Sequence, residues 1–278
     1  MNGALQYLEP GNHRLTCPAC GRNPKDRTFG VTAQPDGSAV GHCFRCDYVE
    51  TQRPERDNRY RPGKAINRPV APLKRDALSQ YGIELFDACA PLRGTVGEQY
   101  LTARGCALPP DDSDLRFHPA LKHPPSDHTG PALVALVTHA DTRAPLTLHR
   151  AWIRADGRKA QIDPPRMLLG GHQKHHGVIR LWPDDAVTSG LCITEGIETA
   201  LSVAHDYQPV WSCIDAGNLA ALPVLAGIET LVIAADHDDA GIKAADICAT
   251  RWNAAGVDVR VIVPDIARSD WNDARCAA

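Results

Sequence analysis

Two groups of carboxylates in the last third of the chain have the types and spacing that metal-dependent chemistry requires. Glu195 directly follows an apolar run at residues 191–194, and Asp236 and Asp238 follow a second run at residues 231–235. Each run is typical of a buried strand and precedes a helix-like segment. Sites in open α/β sheets form at the carboxyl ends of strands, and Mg²⁺ prefers a few carboxylates with waters and substrate phosphates. The spacing therefore predicts a metal site for phosphoryl chemistry.

Four of the ten cysteines form a second group with metal-ligand spacing. They follow the pattern C-x₂-C-x₂₂-C-x₂-C and are Cys17, Cys20, Cys43 and Cys46. This spacing indicates a tetrahedral zinc site in a ribbon. A pair of redox dithiols is the alternative, and His42 could replace one ligand. We expect the metal to supply folding energy, because a unit of about 35 residues buries little core.

Composition indicates an ordinary globular protein. The chain has 278 residues, of which 43% are hydrophobic and 23% charged, enough for roughly two domains. No apolar run approaches the ~20 residues that span a bilayer, and the N-terminus lacks the basic start and apolar stretch of a secretory signal. We therefore expect a cytoplasmic protein with no membrane partner.

The charge distribution is asymmetric along the chain. Residues 1–80 contain 13 basic and 8 acidic residues, whereas the remainder contains 17 basic and 25 acidic residues. A basic front and an acidic back are typical of a nucleic-acid contact region followed by a metal-dependent domain. A solvated, flexible arm would have the same charge, so charge alone leaves both interpretations open.

The hydrophobic pattern divides the chain into four parts. We expect a zinc ribbon at residues 1–50, a flexible linker at 51–75, a subdomain with a basic loop at 76–185 and a catalytic domain at 186–278. Strands at 132–137 and 146–153 predict a meander, and residues 156–180 read as a basic loop. After Gly190, strands at 191–194, 210–213, 230–234 and 258–263 alternate with helices at 197–206, 218–225 and 240–255. This alternation predicts a parallel α/β sheet.

The turn Thr194-Glu195-Gly196 and the later motif Asp236-x-Asp238-x-x-Gly241 resemble the Toprim domain of bacterial and phage primases, topoisomerases and some nucleases. The cysteine ribbon is similar to that of phage, plasmid or integrated-element primases. The resemblance covers roughly residues 14–50 and 130–275. It implies an α/β fold with a Toprim-like parallel sheet flanked by helices, a small N-terminal zinc ribbon, and an α+β region between them.

The resemblance also implies roles for individual residues. Glu195, Asp236 and Asp238 become catalytic residues and ligands of Mg²⁺ or Mn²⁺, and Asp270 either helps a second metal or caps a terminal helix. Residues expected to contact nucleotide or template are Arg150, Lys159, Arg166, Lys174 and, in the ribbon, Arg27.

The function expected from this resemblance is that of a DNA primase. Such an enzyme would synthesise short RNA primers on single-stranded DNA from ribonucleoside triphosphates. The chain lacks the phosphate-loop motif of a helicase motor, so a replicative helicase, if one is needed, would be a separate partner. Two alternatives remain open at this point: a Toprim nuclease or topoisomerase-like strand-cleaving enzyme, and a zinc-dependent single-strand DNA-binding adaptor without activity.

Overall fold

The chain divides into two compact units, Met1–Val70 and Ala71–Ala278. The structure is a computed structural model that describes residues 5, 8–21, 25–53, 74–265 and 271–272. Most of the expected linker at 51–75, and Asp270 near the C-terminus, lie outside the described residues.

The first unit contains a four-stranded antiparallel sheet in the order β1-β2-β3-β4. Its strands are β1 (Gly11–Leu15), β2 (Phe29–Ala33), β3 (Ala39–Cys43) and β4 (Val49–Gln52). The β2–β3 hairpin turns at Asp36 and Gly37. Gly37 has a φ of +78°, and the Asp36 carboxylate accepts hydrogen bonds from Ser38.

Phe29 is the largest side chain in the core of this small unit. It is fully buried, and a Cβ added to Gly41 on the neighbouring strand would lie 2.2 Å from its ring. Gly41 therefore makes room for the ring. Phe44 is 64% exposed, so only one of the two phenylalanines fills the ribbon core.

The second unit contains one nine-stranded mixed sheet with helices packed against it. The strands are β5 (Leu115–Lys122), β6 (Thr129–His139), β7 (Pro145–Trp152), β8 (Arg166–Leu168), β9 (Gly177–Arg180), β10 (Gly190–Thr194), β11 (Val210–Ser212), β12 (Thr230–Ala234) and β13 (Asp258–Ile262). The helices are α1 (Gln80–Asp87), α2 (Val96–Ala103), α3 (Ile197–Val203), α4 (Ala216–Ala221) and α5 (Asp239–Ala254). Within the described part of the chain, no helix is long and apolar enough to cross a membrane.

Four strands form the parallel part of the sheet. Their order is β13-β12-β10-β11, and all three pairings between them are parallel. The strand and helix pattern predicted after Gly190 is therefore confirmed. The sheet continues beyond β11 through β9, β6, β7 and β8, with β5 paired to β6, so the α+β region and the parallel strands share one sheet.

Two strands lie in the segment that the sequence analysis interprets as a loop, and that interpretation is wrong for them. β8 has three residues and β9 has four. Such short runs carry little periodicity, and their partners are distant in sequence: β9 pairs with β6 and β11, and β8 pairs with β7. Tertiary pairing, which a local pattern cannot report, makes them strands.

Arg180 joins the two halves of the sheet at the end of β9. Its side chain is 4% exposed, and its guanidinium lies 4.5 Å from the centre of the Trp211 ring on β11. Nη2 donates to the carbonyl of Ala140 at 2.8 Å, and Nε donates to the Asp184 carboxylate at 2.5 Å. The buried charge is thus paired, and its contacts reach both neighbouring strands.

We expect the substitution Arg180→Ala to destabilise the second unit by about 3 kcal/mol, because breaking a buried ion pair leaves polar partners unsatisfied. Urea unfolding of the full chain measures this difference. Arg143→Ala is the matched control: Arg143 pairs with the other oxygen of Asp184 at 3.0 Å but is 63% exposed, so the expected loss is at most about 1 kcal/mol. Equal losses in the two variants would contradict the role assigned to Arg180.

Candidate functional site

The four cysteines of the first unit converge on one point. Their ligand atoms all lie within 4.8 Å of one another, with Sγ–Sγ distances of 3.8 Å for Cys17 and Cys46 and 3.6 Å for Cys20 and Cys43. Tetrahedral zinc with Zn–S bonds of about 2.3 Å requires sulfurs about 3.8 Å apart. The cluster therefore fits a zinc ion.

Both C-x₂-C turns present backbone N–H groups to a ligand sulfur. Ala19 donates to Sγ of Cys17, and Arg45 donates to Sγ of Cys43, each at 3.4 Å. Burial raises the pKa of Cys43, but N–H groups of Arg45 and Cys46 outweigh it and lower that pKa to about 6. A thiolate suited to metal binding is thus available at neutral pH.

An ion pair holds the second turn in place. The buried carboxylate of Asp26 accepts from Arg45 at 2.6 Å and from the backbone N–H of Thr28. His42, the alternative ligand, lies outside the metal cluster; its Nε2 is 3.2 Å from the Asp47 carboxylate. The four cysteines are therefore the ligand set that the geometry supports.

Basic and aromatic groups of the same unit are exposed. The guanidinium of Arg14 lies 4.5 Å from the centre of the Phe44 ring, and His42 meets that ring edge-on. Lys25 and Arg27 are also exposed, and Arg27 donates to the carbonyl of Asp26. These groups are available to a partner molecule.

The second unit gathers carboxylates at the ends of three adjacent parallel strands. Thr194, the last residue of β10, lies opposite Ala234 on β12 and Ser212 on β11. Glu195 follows β10, Asp236 and Asp238 follow β12, and Asp215 follows β11. The sequence analysis missed Asp215. Its position shortly after a strand of the same series was the available signal.

The carboxylates affect one another electrostatically. Burial, together with the charges of Asp236, Asp238 and Asp215, raises the pKa of Glu195 to about 8, against an opposing effect of Arg166. The folded chain therefore holds more negative charge here than its own cations balance. A bound cation would relieve this repulsion.

The D-x-D-x-x-G motif shapes the turn before α5. The Asp238 side chain caps the helix by accepting the N–H of Gly241 at 2.9 Å, and Thr199 donates to Asp236 at 3.4 Å. A Cβ at position 241 would lie 2.5 Å from the Asp236 carbonyl oxygen. The glycine is therefore required by close packing against the turn that carries Asp236.

The acidic group is open, unlike the cysteine cluster. Among the described residues, only the four cysteines bring three or more ligand atoms within 4.8 Å. An ion at the carboxylates would thus be held by one or two of them, with waters and substrate oxygens completing its shell. That arrangement fits Mg²⁺.

Acidic and basic side chains together line a cleft of about 330 Å³. The acidic residues that line it are Glu195, Glu198, Asp215 and Asp236, and the basic residues are Arg104, Lys159 and Arg166. Asp238 is not among its lining residues. A cleft with both signs of charge can bind a cation together with a polyanion.

Glu198 orients a basic residue of the cleft. It accepts from Arg166 at 3.2 Å and from the hydroxyl of Tyr100 at 2.5 Å. Burial raises the pKa of Glu198, but Arg166 and Tyr100 outweigh this and lower it. Glu198 therefore remains a carboxylate that orients Arg166, which is a positioning role rather than a metal-binding one.

The expected nucleotide or template residues are only partly brought together. Lys159 and Arg166 line the cleft, and Lys174 pairs with Asp215 at its edge. Arg150 is 4% exposed; it donates to the carbonyl of Leu168 and lies outside the cleft lining. Arg104, the residue that follows α2, also lines the cleft. The sequence pattern of α2 does not indicate a functional role for it.

The histidines near residue 175 do not act as one group. His172 is buried, and its Nε2 accepts the backbone N–H of Ser79, so it has a structural role. His175 and His176 stack with ring centres 3.8 Å apart, and His139 meets His176 edge-on. Among the described residues, these histidines do not belong to a group that could hold a metal ion.

We expect Cys46→Ser to lower the zinc content of the purified chain from about one ion to a small fraction, because a tetrahedral thiolate site loses one of four ligands. Elemental analysis after gel filtration measures it. Cys89→Ser is the control, since Cys89 is a free cysteine outside the cluster. Equal zinc in both variants would contradict the assignment.

The raised pKa of Glu195 predicts a pH-dependent stability in Mg²⁺-free buffer. The pKa of Glu195 is higher in the folded chain than in the unfolded one, so ionisation of this carboxyl disfavours the folded chain. The stability of the fold therefore decreases as the pH rises from about 5 to about 8. Glu195→Gln is neutral throughout, so we expect the variant to have the higher melting temperature at pH 9 and a similar one at pH 5. A constant difference between wild type and variant would contradict this prediction.

Two different family models match the second unit, and the boundary between them lies just before β10, the first of the parallel strands. Residues 77–181 match the family model described as a domain of unknown function, DUF7146, and residues 190–278 match the model of the Toprim domain. No curated protein matches the chain.

Solved structures of primases are similar to the chain at low identity. A DNA primase domain from Pseudomonas aeruginosa is 12% identical over 71% of this chain and 74% of that one, with a TM-score of 0.45. The DnaG catalytic core is 13% identical over 70% and 74%, with a TM-score of 0.47. The zinc-binding and RNA polymerase domains of the Aquifex aeolicus primase are 14% identical over 96% and 77%, with a TM-score of 0.44.

Both matched segments contribute residues to the lining of the cleft. Arg104, Lys159 and Arg166 lie in the segment of unknown function. The acidic residues that line the cleft, Glu195, Glu198, Asp215 and Asp236, lie in the segment that matches the Toprim model.

Proposed function

We propose that this chain is a primase-type nucleotidyltransferase that joins ribonucleotides on a single-stranded DNA template. The observation that carries the proposal is the cleft: carboxylates at the ends of three parallel Toprim strands line it together with Arg104, Lys159 and Arg166. A nucleoside triphosphate with its divalent cation has the complementary charges.

The carboxylates suit a magnesium site. Glu195 and Asp236 line the cleft, and Asp238 holds the turn that presents Asp236. Bound Mg²⁺ or Mn²⁺ would supply charge neutralisation at phosphate oxygens. Asp270 lies outside the described residues, and a metal-binding role for it remains part of the proposal.

The basic residues that line the cleft would bind the triphosphate. Arg166 is held in position by Glu198, and Lys159 and Arg104 also line the cleft. A guanidinium fixed in this way can make two parallel hydrogen bonds to phosphate oxygens. These residues bind and orient the nucleotide while the carboxylates hold the cation.

The zinc ribbon would bind the DNA template. Phe44 offers an exposed ring for base stacking, with Arg14 next to it, and Arg27 is exposed for phosphate contact. Stacking on an aromatic ring with nearby cations is a general means of binding single strands. A replicative helicase, if one is required, would be a separate partner.

The strand-cleaving alternative has less support from the site. A topoisomerase requires a nucleophilic tyrosine, and no tyrosine is among the described residues that line the cleft. Tyr100 donates its hydroxyl to the cleft residue Glu198, and burial with that carboxylate raises the pKa of Tyr100 well above the usual value. The adaptor alternative predicts DNA binding without chemistry.

We expect the zinc-loaded chain to make short RNA from single-stranded DNA, Mg²⁺ and labelled ribonucleotides. Glu195→Ala and Asp236→Ala should each reduce product by at least about 100-fold, because each removes a carboxylate that would hold the divalent cation, and that cation neutralises charge on the reacting phosphate. Asp246→Ala, which changes an exposed carboxylate on α5, is the control. Cleavage of the DNA would favour the nuclease alternative, and binding of DNA without any product would favour the adaptor alternative. Full activity in both site variants would refute the proposal.

A further inference from the structure

His149 lines the cleft but has no part in the chemistry described above. It lies on β7, between Ala135 of β6 and Leu168 of β8. Its neighbours on β7, Leu148 and Arg150, are buried, and Arg150 lies outside the cleft lining. The alternation of a strand thus directs His149 into the cleft.

The two nitrogens of the His149 ring have different surroundings. Nδ1 is buried and has no hydrogen-bond partner among the described residues. The ring nevertheless lines the cleft, so Nε2 is the nitrogen that a ligand can reach. An unpaired buried N–H is rarer than an unpaired acceptor, which favours placing the proton on Nε2. The ring then presents one donor to the cleft.

The ring is uncharged at physiological pH. Burial, with the charges of Arg166 and Arg150, lowers the pKa of His149 to about 4, against the opposing effects of Glu198 and Asp215. A neutral donor has no special preference for a phosphate over other oxygens. The charged groups of Arg166, Lys159 and Arg104, which also line the cleft, attract phosphates more strongly than a neutral ring does.

A small cavity of about 20 Å³ adjoins His149. It shares His149, Arg166, Gly196, Glu198 and Ile214 with the cleft lining, and its remaining walls are mainly apolar. A space of this size holds one water-sized group. It is too small for a nucleobase, whereas a hydroxyl group fits.

The other polar residues around this small cavity already have partners. Ser212 donates to the carbonyl of Glu195 at 3.0 Å and accepts from the N–H of Ile214. Arg166 and Glu198 pair with each other. Nε2 of His149 is thus the polar group available to a hydroxyl.

We propose that His149 and the small cavity form a subsite for a ribose hydroxyl of the bound nucleotide. The proposal rests on the proposed function and extends it by naming the part of the substrate that is read. A hydroxyl can accept from Nε2–H and occupy the cavity. A site built to hydrogen-bond a hydroxyl discriminates against the analogue that lacks it, and the 2′-hydroxyl distinguishes RNA from DNA precursors.

The test is the Mg²⁺-dependent binding of ATP, 2′-deoxy-ATP and 3′-deoxy-ATP to the full zinc-loaded chain by calorimetry. We expect ATP to bind roughly 5-fold more tightly than one of the two deoxy analogues, as for the loss of one net hydrogen bond. The analogue that binds less tightly identifies the hydroxyl. His149→Phe should abolish this preference by weakening ATP alone, and His149→Gln, which keeps a neutral donor, should retain part of it.

Binding of the deoxy analogues reports whether each variant is folded, and His205→Ala, at an exposed histidine outside the cleft, is the control. If wild type binds ATP without preference, or if His149→Phe weakens all three nucleotides equally, the subsite is refuted while the proposed function stands. If wild type binds no nucleotide, both fail.

Discussion

The antiparallel pairing of β9 with β11 is the constraint on which the second unit depends. It places Ile179 opposite Ser212 and Arg180 opposite Trp211, and it joins the meander to the four parallel strands in one sheet. The buried guanidinium of Arg180 is tolerated at this junction because carbonyls and Asp184 pair with it. A single hydrogen-bonded ladder therefore joins the two segments whose residues line the cleft.

The chemistry of the cleft follows from how its charges are compensated. Burial and the carboxylates at adjacent strand ends raise the pKa of Glu195, whereas Glu198 and Arg166 neutralise each other across the two matched segments. The carboxylates around Glu195 therefore lack enough neighbouring positive charge, while Arg166 is oriented by its ion pair with Glu198. A site with this distribution favours a cation and a polyanion bound together over either alone.

Local patterns in the sequence predicted the parallel strands, their helices and the cysteine cluster, because periodicity and ligand spacing are short-range properties. They did not predict β8 and β9, whose few residues become strands only through distant partners. They also did not separate Arg150 from Arg166. Both are basic residues in the same segment, yet one is buried beside Trp152 and the other lines the cleft.

The sequence by itself determined which chemical groups the chain carries and which of them follow strands: four thiols spaced for zinc, and Glu195, Asp236 and Asp238 at strand ends. Three further features depend on the tertiary structure alone. Asp215 joins the acidic group, Arg104 lines the same cleft as these carboxylates, and His149 also lines that cleft. The physical reason is that strand order and register are set by pairing between segments far apart in the chain, and that pairing decides which side chains meet.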